Sequence, residues 1–554
     1  MAKKKSGSEK LKKVYLFEKS FFRRVNFGWK KLIGSVVVLA IFVIFWPVTE
    51  RYSQSFKFAD EDEHFAVGQL LDRGKRLYKD ISLNHQPLIF ITSQVVHRVF
   101  DPPNIFMLLK RHREVVFGWG LVWSLLFFWR FGFTALPAVV TYESIKYFVL
   151  GNSFLAESLA VYPSMYVFGS LVELVAAKKE RREEFWLGLA SAMAVFYLLP
   201  TALPLAMAAL WRCFWLRFKR LWQYLLGAGV MVGGLLIFVN PGEYFIETIR
   251  NNSLYAVPAI SEVKSVTDMI RLWTLPFTVW FKPFSLLNYW IAFISAGWFL
   301  TLVIFLLRKQ WRQAAVIGGL FLLWGGFNAR VLTPGKYFFE GFHLSVWLGV
   351  GVLSGWLLLM HTVQRLSGRL KALVVVMIAV LFGWGQVQRD MPLFNKIDPM
   401  TENYINYSPM ATVSRIIRIL SQSNDRLMSL PNETIVHWDT RLLPAMSQIG
   451  FNDWQYSVPE RTKEYYDTVT NQPPAFIVFA NDGSRYGESM EKLITQRYML
   501  LYVVYRNTAS PIRLYVRLDK VLTTTRDQWR EVADLPIELE PKVYQKATEV
   551  GNAE

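Results

Sequence analysis

The sequence predicts an α-helical multi-pass membrane protein with about eleven transmembrane helices, followed by a C-terminal extracytoplasmic α/β domain. Three observations carry this. Apolar runs approaching the ~20 residues that a bilayer-spanning helix needs recur along roughly the first seven-tenths of the chain. Short Lys and Arg clusters separate them at alternate loops. Beyond Trp384 the chain turns polar and mixes short β-patterned runs with helical ones.

Composition sets the outer bounds. Hydrophobic residues make up 53% of the 554 and charged residues only 19%, with a mean hydropathy of +0.23. That excludes a disordered chain, and the recurring apolar runs exclude one large soluble domain. A single cysteine, Cys213, excludes an intramolecular disulfide framework and multi-cysteine zinc motifs. The seven histidines form no HExxH or His-x3-His motif. A net charge of +19 would suggest nucleic acid in a soluble protein. Here the cations flank apolar runs, so they report orientation and no nucleic-acid partner is expected.

Residues 1–31 form a basic N-terminus that stays cytoplasmic. The first apolar run, 32–48, has no small-residue cleavage site after it and reads as a retained span. The transmembrane domain, 32–384, continues with runs at 115–129, 134–150, 154–176, 185–197, 201–210, 224–239, 289–307, 314–327, 342–361 and 372–384. Loops predicted inside carry Arg130, then Lys178 to Arg182, then Arg212 to Arg220, then Arg308 to Arg312, then Arg365 to Lys371. Predicted outside loops are mixed in sign, long or nearly uncharged. The runs 185–197 and 201–210 are short for ~30 Å of hydrocarbon. They read either as two crossings or as half-helices re-entering from inside, and dropping both leaves the parity unchanged. The protein is therefore expected in the cell (cytoplasmic) membrane, with its N-terminus cytoplasmic and the first loop and tail extracytoplasmic.

The tail, 385–554, has β-patterned runs at 434–438, 475–480, 498–505 and 512–518 and a helical segment at 459–470. It has no Gly-rich phosphate loop and no nucleophile elbow, and reads as a packing or acceptor-docking cap. No repeat of fixed period is evident.

Chemistry concentrates in the first outer loop, 49–114. Asp60, Glu61, Asp62 and Glu63 follow the first span by about ten residues, close to the outer membrane surface. An isolated acidic run is most simply a solvated face. The surrounding pattern says more: Phe65, Gly68 to Leu71 and Leu77 are spaced for a short helix on the membrane plane, ended by Gly74. A Pro87-led helix over 88–99 follows. Such a pair holds Asp60 beneath a lid. Glu157 lies just inside an apolar run, where it either lines a wet cavity or complements a helix N-terminus capped by Ser153; both readings stand. Glu143 and Lys146, three apart, read as a structural pair.

The pattern Asp60-Glu61-x-x-His64, Gly74-x3-Tyr78-Lys79-Asp80, then His85-x-Pro87-Leu88 resembles the first extracytoplasmic loop of GT-C glycosyltransferases that use polyprenyl-phosphate sugars. That superfamily includes protein O-mannosyltransferases and lipid A aminoarabinose transferases. The order of parts along the whole chain is also similar, so the resemblance implies a GT-C-like fold. It implies that Asp60 acts as catalytic base or orients the acceptor, with Glu61 beside it and Asp62 a substitute because the register is ambiguous. His64, Tyr78, Asp80 and Glu157 fall to the acceptor side or cavity. His85 and Gln86 face the donor pocket, and Arg330, Lys336, Tyr337 and His343 resemble the late outside loop that approaches the donor phosphate. For these last four the bland alternative is a cationic lipid-headgroup surface.

The chemistry needs these residue types. Displacing phosphate from an anomeric carbon passes through an oxocarbenium-like state. A carboxylate takes the acceptor hydroxyl proton, and a cation meets the charge growing on the leaving phosphate. One base and one displacement imply inversion. No cofactor motif is present; the four carboxylates are compatible with a divalent cation but supply no ligand geometry that selects one. The expected partners are a polyprenyl-phosphate sugar donor, a glycan, lipid or protein acceptor, and membrane lipids. A multi-pass lipid or glycan flippase or transporter is the alternative, although it should place broken or polar helices at the midplane. A membrane-anchored scaffold leaves the acidic loop unexplained.

Overall fold

The computed structural model describes residues 5–56, 58–177, 180–261, 263–328, 331–332, 338–480, 494–504 and 511–535. The first apolar run continues the basic N-terminus as one helix, α1 (Lys5–Ser53), whose 28–53 portion is apolar enough to cross a membrane. The outer loop then folds into α2 (Glu61–Asp72) and α3 (Pro87–Phe100), as its spacing predicts.

The next apolar stretch, Ile105–Val149, is 45 residues long, about twice what a bilayer requires. It comprises α4 (Ile105–Phe131) and α5 (Leu136–Ile145). Gly132 between them takes φ +72°, a left-handed value that a side chain disfavours. The chain reverses there: a Cβ on Gly120 would lie 3.4 Å from Glu143 Oε1, and Lys146 Nζ sits 5.9 Å from the Phe117 ring. Both contacts join positions equidistant from the turn, so the stretch is an antiparallel pair. Glu143 and Lys146 pair at 2.5 Å, fully buried, and Tyr162 donates to the same carboxylate at 2.8 Å.

Then come α6 (Ala156–Ala177), α7 (Glu184–Tyr197), α8 (Ala202–Trp215) and α9 (Leu221–Leu235). Short α10 (Pro241–Tyr244) and α11 (Val257–Ile260) flank two π-helical segments, Phe245–Arg250 and Asn252–Ala256. The bundle closes with α12 (Val266–Thr278), α13 (Leu286–Leu307), α14 (Trp311–Gly325), α15 (Ser345–Val363) and α16 (Gly368–Gln386). All eleven predicted runs fall on helices, but among the described residues six helical stretches are long and apolar enough to cross a membrane. Two of the predicted runs share the hairpin. Four others sit on α7, α8, α9 and α14, which have 14 or 15 residues each. At 1.5 Å per residue these reach only about 21 to 23 Å. Pro200 and Pro204, and the positive φ of Arg217 and Phe218, mark where this part of the chain is broken.

The centre of the bundle is α6 against α15, 89% and 94% of whose apolar windows are buried, against 11% for peripheral α16. Trp298, Trp324 and Trp347 stack across α13, α14 and α15 with centroids 5.4 and 4.7 Å apart. In hydrocarbon every backbone amide must find its partner within the segment, which is why this apolar sequence is helical throughout.

The tail begins with α17 (Pro399–Asn406) and α18 (Ser408–Leu420). It then runs β1 (Arg426–Leu430), α19 (Ile435–Thr440), β2 (Leu443–Pro444), α20 (Asp453–Tyr456), α21 (Pro459–Asn471), β3 (Phe476–Ala480), β4 (Tyr498–Val504) and β5 (Ile512–Arg517). The sheet order is β2-β1-β3-β5-β4, parallel from β2 to β3 and antiparallel beyond. Three predicted strands match β3, β4 and β5. The predicted strand 434–438 is instead α19: its β-branched residues pack helically, with Ile435, Val436, His437 and Trp438 all buried. The domain seats on the first loop, where Ser82 N–H donates to Ser447 C=O at 2.8 Å and Gln69 to Trp438 C=O at 3.3 Å.

Candidate functional site

Local sequence places the site. Asp60 is the N-cap residue of α2, Gly74 follows its end at φ +84°, and Pro87 opens α3 just after Gln86. The two helices approach closely because position 68 has no side chain: a Cβ there would lie 2.2 Å from Ser93 Oγ. His97 Nε2 bridges to Phe65 C=O at 3.0 Å across the same contact. Successive helical positions turn by about 100°, so four consecutive acids cannot share a face, whereas Asp60 and His64 lie four apart and do.

Asp60, His64, His85, Gln86, Glu157 and His343 line one cavity of about 220 Å³. It lies between the α2–α3 pair, the start of α6, the break between α7 and α8, and the turn before α15. His343 Nδ1 is 2.7 Å from Glu157 Oε1. Glu157 lies in the first turn of α6 and on the cavity wall, buried rather than exposed at a helix start. His64 Nδ1 donates to Phe154 C=O at 3.0 Å, which leaves Nε2 as an acceptor with no hydrogen-bond partner. Burial pushes the His64 imidazole down to about 4, helped by neighbouring His85, so it is neutral near pH 7. Burial raises the Glu63 carboxyl, and Asp60 adds to this while His85 opposes it. Gln86 Oε1 accepts from Tyr244 OH at 2.7 Å, and Asn252 donates to Asn84 C=O at 2.7 Å.

Several predicted residues lie elsewhere. Glu61 does not line the cavity: it is fully buried and bidentate with Arg113, Nε–Oε1 at 3.0 Å and Nη2–Oε2 at 2.5 Å. It also accepts from Phe154 N–H at 2.6 Å. Asp62 turns toward the tail and accepts from Thr434 at 3.0 Å. Tyr78 is buried beneath the wall, its hydroxyl donating 2.7 Å to His85 C=O, and burial holds its phenol well above the ordinary range. It is a support for His85, not a cavity residue. Asp80 faces solvent in an ion pair with Arg76, 3.1 Å apart, which holds its carboxyl below the usual range. The four carboxylates are thus dispersed, and among the described residues no three His, Cys, Asp or Glu side chains are grouped as metal ligands. Arg330, Lys336 and Tyr337 lie outside the described residues.

Sequence reasoning missed Asn84, Tyr197, Thr201, Asn252 and Ser253, which also line the cavity. A signal existed for two of them: Tyr197 and Thr201 flank the Leu-Pro break between two short apolar runs, and broken helices at membrane depth line cavities. Asn252 and Ser253 belong to the second π-helical segment, a geometry with no simple sequence mark.

The fold and this site define a helical membrane protein with an appended α/β domain and a polar cavity at one end of its bundle. No protein-family model matches the chain. ArnT from Cupriavidus metallidurans, whose crystal structure was determined bound to undecaprenyl phosphate, is similar with a TM-score of 0.48 and 14% identity. That likeness covers 87% of this chain and 98% of the ArnT chain. GTPase Der of Synechococcus sp. is 25% identical over 171 residues, 28% of this chain and 35% of that protein, so the match spans about a third of the relative's length. The phosphate-binding pattern G-x4-G-K-[S/T] that GTP hydrolysis requires occurs nowhere in the sequence.

Proposed function

We propose that the protein is an integral membrane glycosyltransferase that takes a sugar from a polyprenyl-phosphate-linked donor and passes it, with inversion, to an extracytoplasmic glycan, lipid or protein. The observation that supports this is the meeting, in one cavity, of Asp60 on α2 with the His343–Glu157 pair carried by the turn before α15 and the start of α6.

In this reading the acceptor hydroxyl proton passes to Asp60 as its oxygen bonds to the anomeric carbon. The bond from that carbon to phosphate oxygen breaks with its electron pair leaving on the phosphate. Protonated His343, oriented by Glu157, meets that charge, and Arg330 or Lys336 adds to it. His64 holds a neutral acceptor nitrogen beside Asp60, and His85 and Gln86 position the donor. The amide groups of Asn84 and Asn252 suit sugar hydroxyls. Glu61 serves the reaction indirectly by fixing the start of α2 to Arg113.

The test is transfer from a panel of radiolabelled polyprenyl-phosphate sugars in membranes carrying wild type, Asp60→Asn or Asp62→Asn. Consumption of one donor by wild type, lost in Asp60→Asn and kept in Asp62→Asn, supports the reading. No donor consumed, with lipid products unchanged by either substitution, overturns it in favour of a flippase or scaffold.

A further inference from the structure

A second cavity, about 470 Å³, lies on the lipid-facing side of the bundle between α4 and α7. Trp119, Trp123, Trp129 and Trp186 line it, and Arg130 and Arg181 close one end. It is separate from the candidate site but adjoins it: the Trp119 ring is 6.3 Å from the ring of Tyr197, which lines the polar cavity. From Trp119 to Trp129 the groove follows ten residues of helix, about 15 Å, or half of a ~30 Å hydrocarbon core. That is the depth of one leaflet's acyl chain.

The two arginines differ. Arg130 is consumed by Glu173 and Glu183 and by Ser170, all buried. Arg181 is exposed and has no carboxylate partner among the described residues. Its backbone is nonetheless held, since its carbonyl accepts from Arg212 at 3.3 Å and from Arg220 at 3.5 Å. Trp129 and Trp186, 50% and 59% exposed, stand beside it as indoles do at a membrane interface. An anchored cation thus stands at one end of an indole-lined apolar track.

We propose that this groove is a binding site for an anionic glycerophospholipid of the leaflet opposite the polar cavity, with its phosphate on Arg181 and one acyl chain along the four tryptophans. The polarity of the groove selects this occupant over the donor's polyprenyl tail. A donor with its phosphate in the polar cavity would lay the apolar end of its chain against Arg181, whereas a lipid from the other leaflet matches charge to charge and chain to indole.

The experiment uses the full chain in phosphatidylcholine nanodiscs that contain, over the same series of mole fractions, either brominated-chain phosphatidylglycerol or brominated-chain phosphatidylcholine, and reads tryptophan quenching. Wild type should be quenched at lower mole fraction by the glycerol lipid. Arg181→Gln should weaken that preference about fivefold, and Arg181→Lys should keep it. Replacing the four groove tryptophans together by Phe should remove the preferential quenching, locating it in the groove. Equal quenching by the two lipids, or a preference that survives Arg181→Gln, overturns the proposal. Displacement of phosphatidylglycerol quenching by unbrominated polyprenyl phosphate also overturns it and assigns the groove to the donor tail.

Discussion

Two buried charge clusters sit at opposite ends of the bundle, and they differ in how their charges are answered. At one end Glu173, Glu183 and Glu184 are each met by Arg130 or Arg212 within a network that also holds Ser170. At the other, Glu61 is just as fully answered by Arg113, but around it His64 Nε2 and one oxygen of Glu63 are buried without hydrogen-bond partners, next to an open cavity. Buried charge alone therefore does not mark a functional site. Arg212 Nε at the first end is also buried without a partner, so what distinguishes the cavity end is that its leftover acceptors stand beside an open polar cavity, where a ligand can answer groups that each cost about 1 to 3 kcal/mol unpaired.

This contrast can be broken experimentally. If Asp60 belongs to the reactive group, Asp60→Asn should lower turnover by about 10²- to 10⁴-fold with the melting temperature unchanged, measured as donor consumption and thermal unfolding of the same preparation. Glu61→Gln should do the reverse. Leaving Arg113 charged in a site where both partners are at most 1% exposed should cost about 3 to 5 kcal/mol, and thermal unfolding should show it before any assay. A Glu61→Gln protein that is stable but inactive would move Glu61 into the reactive group and dissolve the distinction.

The third prediction concerns pH. His64 and His97 both sit near 4 in the folded protein, chiefly through burial, against about 6.5 in an exposed histidine. The unfolded chain then binds protons that the folded chain does not, so stability is fully present above about pH 6.5 and is lost as pH falls toward 4. Each histidine contributes on the order of 3 kcal/mol over that window. Melting temperature against pH should fall in this range, and His97→Gln should flatten the curve. The smallest effect is expected from Asp80→Asn: an exposed i,i+4 pair is worth little, so neither turnover nor melting temperature should move measurably.

Much of the architecture was legible because it follows from local rules. The amphipathic spacing around Phe65 and Leu71, with Gly74 and Pro87 as punctuation, located α2 and α3, and the Glu143–Lys146 pair follows from helical spacing. The number of membrane-long helices was not legible. Apolarity marks each run equally, whereas length depends on breaks such as Pro200 and the reversal at Gly132, which joins two runs into one stretch. Arg130 and Arg212, read as inside-loop cations that report orientation, are buried partners of carboxylates, because the helices that carry their partners pack against them.

The sequence by itself determined that the chain is apolar and helical over roughly its first seven-tenths, that a mixed α/β domain follows, and that Asp60 and His64 fall on one face of a short helix in the first outer loop. These depend on hydropathy and on the 3.6-residue period, both of which are local. Only the tertiary structure decided which of four consecutive acids faces the cavity. Glu61 is claimed by Arg113, 52 positions away, Asp62 by Thr434, 372 positions away, and His343 reaches Glu157 across 186. A helix turns each side chain by a known angle, but which neighbour covers that direction is fixed by packing between segments far apart in the chain.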